Sequence, residues 1–128
     1  MPHRDPVTPE MREAVFARDR LIVSRFMAAL GQAVTWRRDR LMTPHGGVAC
    51  PAVVIDYDNE MWACWGRWTL DHIKSGMRLG RRAPSDAFHL ISLCEGHTEN
   101  GMRHGRIWNT SHRPEIRAYL EQVNKEPQ

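Results

Sequence analysis

Cysteine and histidine carry most of the metal chemistry open to this 128-residue chain. Cys94-Glu95-Gly96-His97 has the Cys-x-x-His spacing with which one turn presents a thiolate and an imidazole to a single ion. Cys50 and Cys64 supply two more thiols. Together Cys50, Cys64, Cys94 and His97 make a ligand set for tetrahedral zinc, which favours thiolate and imidazole donors. Such a site would staple distant segments and contribute folding free energy, because the unfolded chain does not hold the ligands together. The competing reading is three buried cysteines acting as small hydrophobes, and the separation of Cys50 from Cys64 keeps it open.

Asp71-His72 calls for different chemistry. Neighbouring side chains on a strand point to opposite faces, so an undistorted strand cannot turn both toward one ion. In a twisted or bulged hairpin the carboxylate could hold a hard divalent cation while the imidazole, a competent base near neutral pH, faces a water. The cation would stabilise charge developing on a phosphate and its leaving oxygen. Taken alone, an Asp-His pair is more often a surface ion pair or a satisfied histidine. The loop that follows is basic and contains glycine: Lys74, Arg78, Gly80, Arg81 and Arg82 are suited to lie against a phosphate backbone.

Composition bounds these readings. The formal charge is only +3, yet all but two of the eighteen basic residues are arginine. Its planar fork of donors matches phosphate oxygens in pairs, which favours nucleic acid, although the codon bias of a GC-rich genome explains the composition equally well. The opening Met-Pro-His-Arg-Asp-Pro-Val-Thr-Pro lacks the apolar run of a secretory signal, and an odd number of cysteines implies no disulfide framework. No apolar stretch approaches the roughly 20 residues needed to cross a bilayer. The expectation is a cytoplasmic protein with reduced cysteines and no membrane partner. With a mean hydropathy of −0.55 the single domain is small and polar, the kind that a metal often supports.

The elements that must position these residues fall into three parts. Thr8 as N-cap, Pro9 in the first turn and Glu10 after it begin a helix; Met11, Val15, Val23, Phe26, Met27 and Leu30 give it an apolar stripe until Gly31. Arg18-Asp19-Arg20 leaves open whether this is one helix or two. Residues 32–49, with Arg37-Arg38-Asp39-Arg40 and Pro44-His45-Gly46-Gly47, read as a loop. The β-branched run Cys50–Ile55 predicts a short strand or a tight turn into one, and the aromatic run from Met61 predicts a β-hairpin closing near Gly66, with Asp71 and His72 on its returning strand. His89–Cys94 is apolar and leads into a short helix at Cys94–His97. Pro114, Ile116, Tyr119, Leu120 and Val123 mark a final amphipathic helix.

Asp71-His72-Ile73, the basic loop, His89-Leu90-Ile91-Ser92-Leu93-Cys94 and Glu95-Gly96-His97 together resemble the HNH endonucleases, particularly the small stand-alone enzymes of phages and actinobacteria. The phrases Leu93–Met102 and Trp108-Asn109-Thr110 are similar to one phage-type branch. The resemblance covers residues 50–112 and implies an α+β fold. A ββα-metal (His-Me finger) core there would be flanked by an N-terminal helical region with a basic loop (1–49) and a C-terminal helix (113–128).

The resemblance further implies hydrolysis of DNA phosphodiester bonds with one divalent cation such as Mg or Mn, beside the structural Zn. His72 corresponds to the general base and Asp71 to the first metal ligand. His89 falls where the family has an asparagine that orients the base. The last catalytic ligand is open: the aligned position is Thr98, a poor ligand, which leaves His97, Asn100, His104 or Asn109. DNA is the implied partner, with phage packaging proteins as further company. The alternative is a non-catalytic zinc-stabilised nucleic-acid-binding module.

Overall fold

The computed structural model describes residues 7–73, 86–98, 101 and 107–125. Helix α1 (Pro9–Ala29) starts as its sequence dictates, with Thr8 Oγ1 accepting from the Met11 N–H at 3.1 Å and proline in the first turn. It runs unbroken through Arg18-Asp19-Arg20, because Arg18 and Asp19 turn inward and pair with each other at 2.9 Å. It ends at Gly31, whose φ of +77° is left-handed backbone that glycine adopts without steric penalty, and the Gln32 N–H closes onto the Met27 carbonyl.

Residues 32–49, expected to be a loop, instead form a three-stranded antiparallel sheet of β1 (Thr35–Arg37), β2 (Arg40–Met42) and β3 (Val48–Ala49). The β1–β2 connection has only Arg38 and Asp39 between the paired residues Arg37 and Arg40. Both adopt positive φ, 51° and 62°, the primed-turn geometry whose twist matches the strands. That conformation costs non-glycine residues about 1–2 kcal/mol each. The Asp39 carbonyl accepts the Trp68 N–H at 2.7 Å, which docks the turn on the next strand.

The expected strand at Cys50–Ile55 is also corrected: Pro51–Ile55 is a helical turn, α2, followed by α3 (Tyr57–Glu60) and a 3-10 turn at Met61–Ala63. Cys50 is extended, and Pro51 supplies a fixed φ and no N–H at the first helical position. Pro51, Ala52 and Val53 are buried, so packing overrides the β preference of the valines. No hairpin closes at Gly66 either. β4 (Trp68–His72) pairs antiparallel with β5 (Leu90–Cys94), Trp68 opposite Cys94 and His72 opposite Leu90.

β5 is buried along its whole length, which explains why it is apolar on both faces except at Ser92. A T-shaped Trp36–Trp68 contact with centroids 5.1 Å apart, and Phe16 against both rings, tie α1, the first sheet and β4 together. Helices α4 (Trp108–Ser111) and α5 (Arg113–Lys125) follow, and α5 buries the expected stripe of Ile116, Tyr119, Leu120 and Val123. The fold is thus mixed α/β with small antiparallel sheets, and no helix among the described residues is long and apolar enough to cross a membrane.

Beneath these layers Asp19, fully buried, gathers four donors. Its Oδ1 accepts from Tyr119 Oη at 2.8 Å and Arg18 Nε at 2.9 Å, and its Oδ2 from the Ser92 N–H at 2.8 Å and Arg18 Nη2 at 3.2 Å. Arg18 spends its remaining donors on the Leu90 and Ala87 carbonyls and on Asn124 Oδ1. Burial, with the Asp19 carboxylate next to it, pushes the Tyr119 hydroxyl well above its usual range, so it stays a donor.

Candidate metal centre

The four residues predicted as zinc ligands converge. Cys50 lies at the entrance of α2, Cys64 follows the 3-10 turn, Cys94 ends β5, and His97 ends the 3-10 turn Glu95–His97. Their ligand atoms all lie within 4.8 Å of one another. The Cys50 and Cys64 sulfurs are 3.7 Å apart, and His97 Nδ1 stands 3.7, 3.7 and 3.3 Å from the sulfurs of Cys50, Cys64 and Cys94. A tetrahedron with Zn–S near 2.3 Å and Zn–N near 2.05 Å has edges of roughly 3.8 Å between sulfurs and roughly 3.6 Å from sulfur to nitrogen. The cluster therefore has the size and donor chemistry of a zinc site. The sulfur separation is far beyond the roughly 2.05 Å of a disulfide, and all three cysteines are free.

The electrostatics of the thiols also fit cation binding. Burial pushes the Cys50 thiol well up, and hydrogen bonding to the other two sulfurs adds to it. At Cys64 the Cys50 hydrogen bond pulls down, but the one to Cys94 and burial outweigh it and the thiol is raised. Cys94 moves the other way, because the hydrogen bonds from Cys50 and Cys64 collect on its sulfur. Crowded sulfurs of this kind share one negative charge among themselves, and a divalent cation removes the need for their protons.

His97 is fully buried and oriented from behind. Its Nε2 lies 3.0 Å from Glu60 Oε1, and Glu60 is itself buried. An Nε2–H donated to that carboxylate leaves the Nδ1 lone pair facing the sulfurs, the carboxylate–histidine arrangement of many zinc sites. Both ring nitrogens are then engaged, which leaves His97 none for a second ion. Trp108 covers the ring edge-on with centroids 5.1 Å apart and stacks on His112 at 4.7 Å. Gly96 allows the close approach of the Cys64 segment: its N–H donates to the Trp65 carbonyl, and an added Cβ would strike the Ala63 carbonyl oxygen. Sequence reasoning misses Glu60, since nothing local marks a partner 37 residues away.

The Asp71–His72 pair sits elsewhere. Asp71 is three residues beyond Trp68, the partner of Cys94, so about 10 Å of strand separates it from the cluster. Asn109 Nδ2 donates to Asp71 Oδ2 at 3.1 Å. Trp108 and Asn109, neighbours on α4, thus touch the two regions: one covers His97 and the other holds Asp71. His89 precedes β5; its carbonyl accepts the Ile73 N–H at 2.8 Å, and its Nδ1 lies 2.6 Å from Asp86 Oδ1. Thr98 is buried and donates its hydroxyl to the Glu95 carbonyl at 2.8 Å. Lys74, Arg78, Arg81 and Arg82, with Asn100 and His104, lie outside the described residues. No family model, curated protein or solved structure matches this chain, and the centre is defined by its own residues.

Proposed function

We propose that the chain is a zinc-stapled, metal-dependent DNA endonuclease of the HNH type, with the pair β4–β5 and the segment after it as a ββα-metal core. The observation that carries this reading is the Asn109 amide donating to the Asp71 carboxylate on β4, where the next residue is His72 and the partner strand ends at Cys94 of the sulfur cluster. His72 takes a proton from water as general base. Asp71 offers carboxylate oxygens to a hard divalent cation, and Asn109 both orients that carboxylate and contributes an amide oxygen of the right hardness. When bound, such a cation stabilises charge developing on the phosphate and on the leaving oxygen. The His89 carbonyl ties the start of β5 to Ile73, the residue after the base, while its imidazole is held by Asp86.

The test is relaxation of supercoiled plasmid in magnesium or manganese by the zinc-loaded protein. His72→Ala should abolish nicking while zinc content and thermal unfolding stay those of the parent; equal cleavage by that variant removes His72 from the mechanism.

A second reading, a non-catalytic zinc-stabilised nucleic-acid-binding module, is favoured by Thr98, a poor ligand whose hydroxyl caps its own turn. It predicts DNA binding without cut product across several divalent metals and no effect of Asp71→Ala.

A further inference from the structure

The first sheet leaves its arginines without carboxylate partners among the described residues. Arg37, Arg38 and Arg40 are exposed and form no ion pair among the described residues, whereas half-buried Arg20 and exposed Lys125 each have one. With Arg67 they border an open cleft of about 750 Å³, lined also by Thr35, Met42, Thr43 and Gly46. Asp39 is the one carboxylate among its lining residues. Arg67 reaches Glu95 only at 3.9 Å and is itself largely exposed. Four guanidinium forks around one opening are a poor arrangement for folding, since like charges repel, and a good one for a chain of phosphates.

The cleft is also rigidly joined to the strand of the Asp71–His72 pair. The Asp39 carbonyl holds the Trp68 N–H, Trp36 packs on Trp68, and the Glu95 N–H donates to the Arg67 carbonyl, which extends the β4–β5 ladder back to Arg67. By strand alternation Arg67, Thr69 and Asp71 then project from the same face of β4, with roughly 13 Å between the first and the last. DNA carries a phosphate about every 3.4 Å of helix axis on each strand, so one duplex spans both positions.

We propose that the Arg37–Arg38–Arg40–Arg67 cleft is a binding site for the phosphate backbone of double-stranded DNA, distinct from the basic loop after Ile73. The proposal takes DNA as the ligand from the function proposed above, but it does not depend on cleavage. The site positions a duplex along β4 and carries no base recognition.

The experiment is fluorescence anisotropy of a labelled DNA duplex, titrated with zinc-loaded full-length protein at several salt concentrations. Arg37→Gln/Arg40→Gln/Arg67→Gln should weaken binding roughly tenfold or more and flatten the log–log salt dependence by about 0.9 for each phosphate the protein no longer neutralises. Zinc content and circular dichroism should remain those of the parent. A control, Arg12→Gln/Arg25→Gln/Lys125→Gln, removes the same charge from the helices and should change binding far less. The proposal is overturned if the cleft variant keeps the parent's affinity and salt slope, or if both triple variants lose equally, which would reduce the effect to net charge. Wild-type protein that cuts no DNA, yet binds it in a cleft-dependent way, upholds the site and removes the nuclease.

Discussion

Glu60 provides the sharpest test of the metal centre because it lies outside the ligand set and meets the ligand His97 from behind, Oε1 to Nε2 at 3.0 Å. In Glu60→Ala the buried Nε2–H loses its acceptor, and His97 loses the carboxylate that fixes its tautomer and raises its basicity. Removing such a partner typically weakens zinc about 10–100-fold, or roughly 1.4–2.8 kcal/mol. Glu60→Gln retains an acceptor oxygen at nearly the same place and should fall at the lower end. Zinc binds the folded chain alone, so at a fixed free zinc concentration well above Kd the same free energy is lost from folding. For a domain of this length each kcal/mol moves Tm by roughly 3–5 °C, which places the alanine variant about 4–14 °C below the parent.

Competition against a coloured chelator of known zinc affinity gives Kd, and melting in zinc buffers gives the second reading. The two should agree, and the difference in Tm should hold its full size in strong zinc excess and shrink as free zinc is lowered toward the parent's Kd. A Glu60→Ala protein with the parent's zinc affinity would refute the assignment of Glu60 as the residue that orients His97. A melting loss of the same size at every zinc concentration, with Kd unchanged, would assign Glu60 to packing instead.

Two further outcomes follow from other buried groups. Zinc affinity should fall steeply with acid: burial and its hydrogen bonds hold the empty site's Cys50 thiol protonated at neutral pH, and Cys64 is also raised, so two protons leave on binding and Kd rises roughly 100-fold for each pH unit of acidification. A chelator titration repeated between pH 6 and 8 measures that slope, and a flat profile contradicts it. Asp19→Ala leaves the Arg18 charge uncompensated beside an orphaned Ser92 N–H, at a cost of about 3–5 kcal/mol, a large part of a small domain's stability. Urea unfolding should show this loss with zinc bound.

The metal site was legible in the sequence because ligand type and close spacing are local facts: Cys94-x-x-His97 needs one turn and no knowledge of the fold. The caps and stripes of α1 and α5 were legible for the same reason. What failed were segments where tertiary burial overrides propensity. The valines after Cys50 suggested a strand, yet Pro51 with an extended Cys50 before it was a helix start in plain view. The aromatic residues from Met61 suggested a hairpin arm, but Trp62 is 90% exposed on a 3-10 turn and packs no sheet. The first sheet was hidden because its turn uses Arg38-Asp39, with no glycine or asparagine to announce positive φ. Glu60, Asn109 and the Arg18–Asp19–Tyr119 group act on partners at least 37 residues away, which no spacing rule reaches.

The anchoring of β5 at both ends has a consequence for fidelity rather than for strength. Arg18 and Asp19 grip the main chain at Leu90 and Ser92, and the sulfur cluster grips Cys94, so the strand cannot shift along β4 without breaking one of the two. A slip of a single residue in a two-stranded ribbon would turn every side chain to the other face, exchanging the outlooks of Asp71 and His72. The buried ion pair and the cysteines thus act as two pins that keep the reading frame of the ribbon, and with it the order in which the carboxylate and the imidazole meet whatever lies across β4.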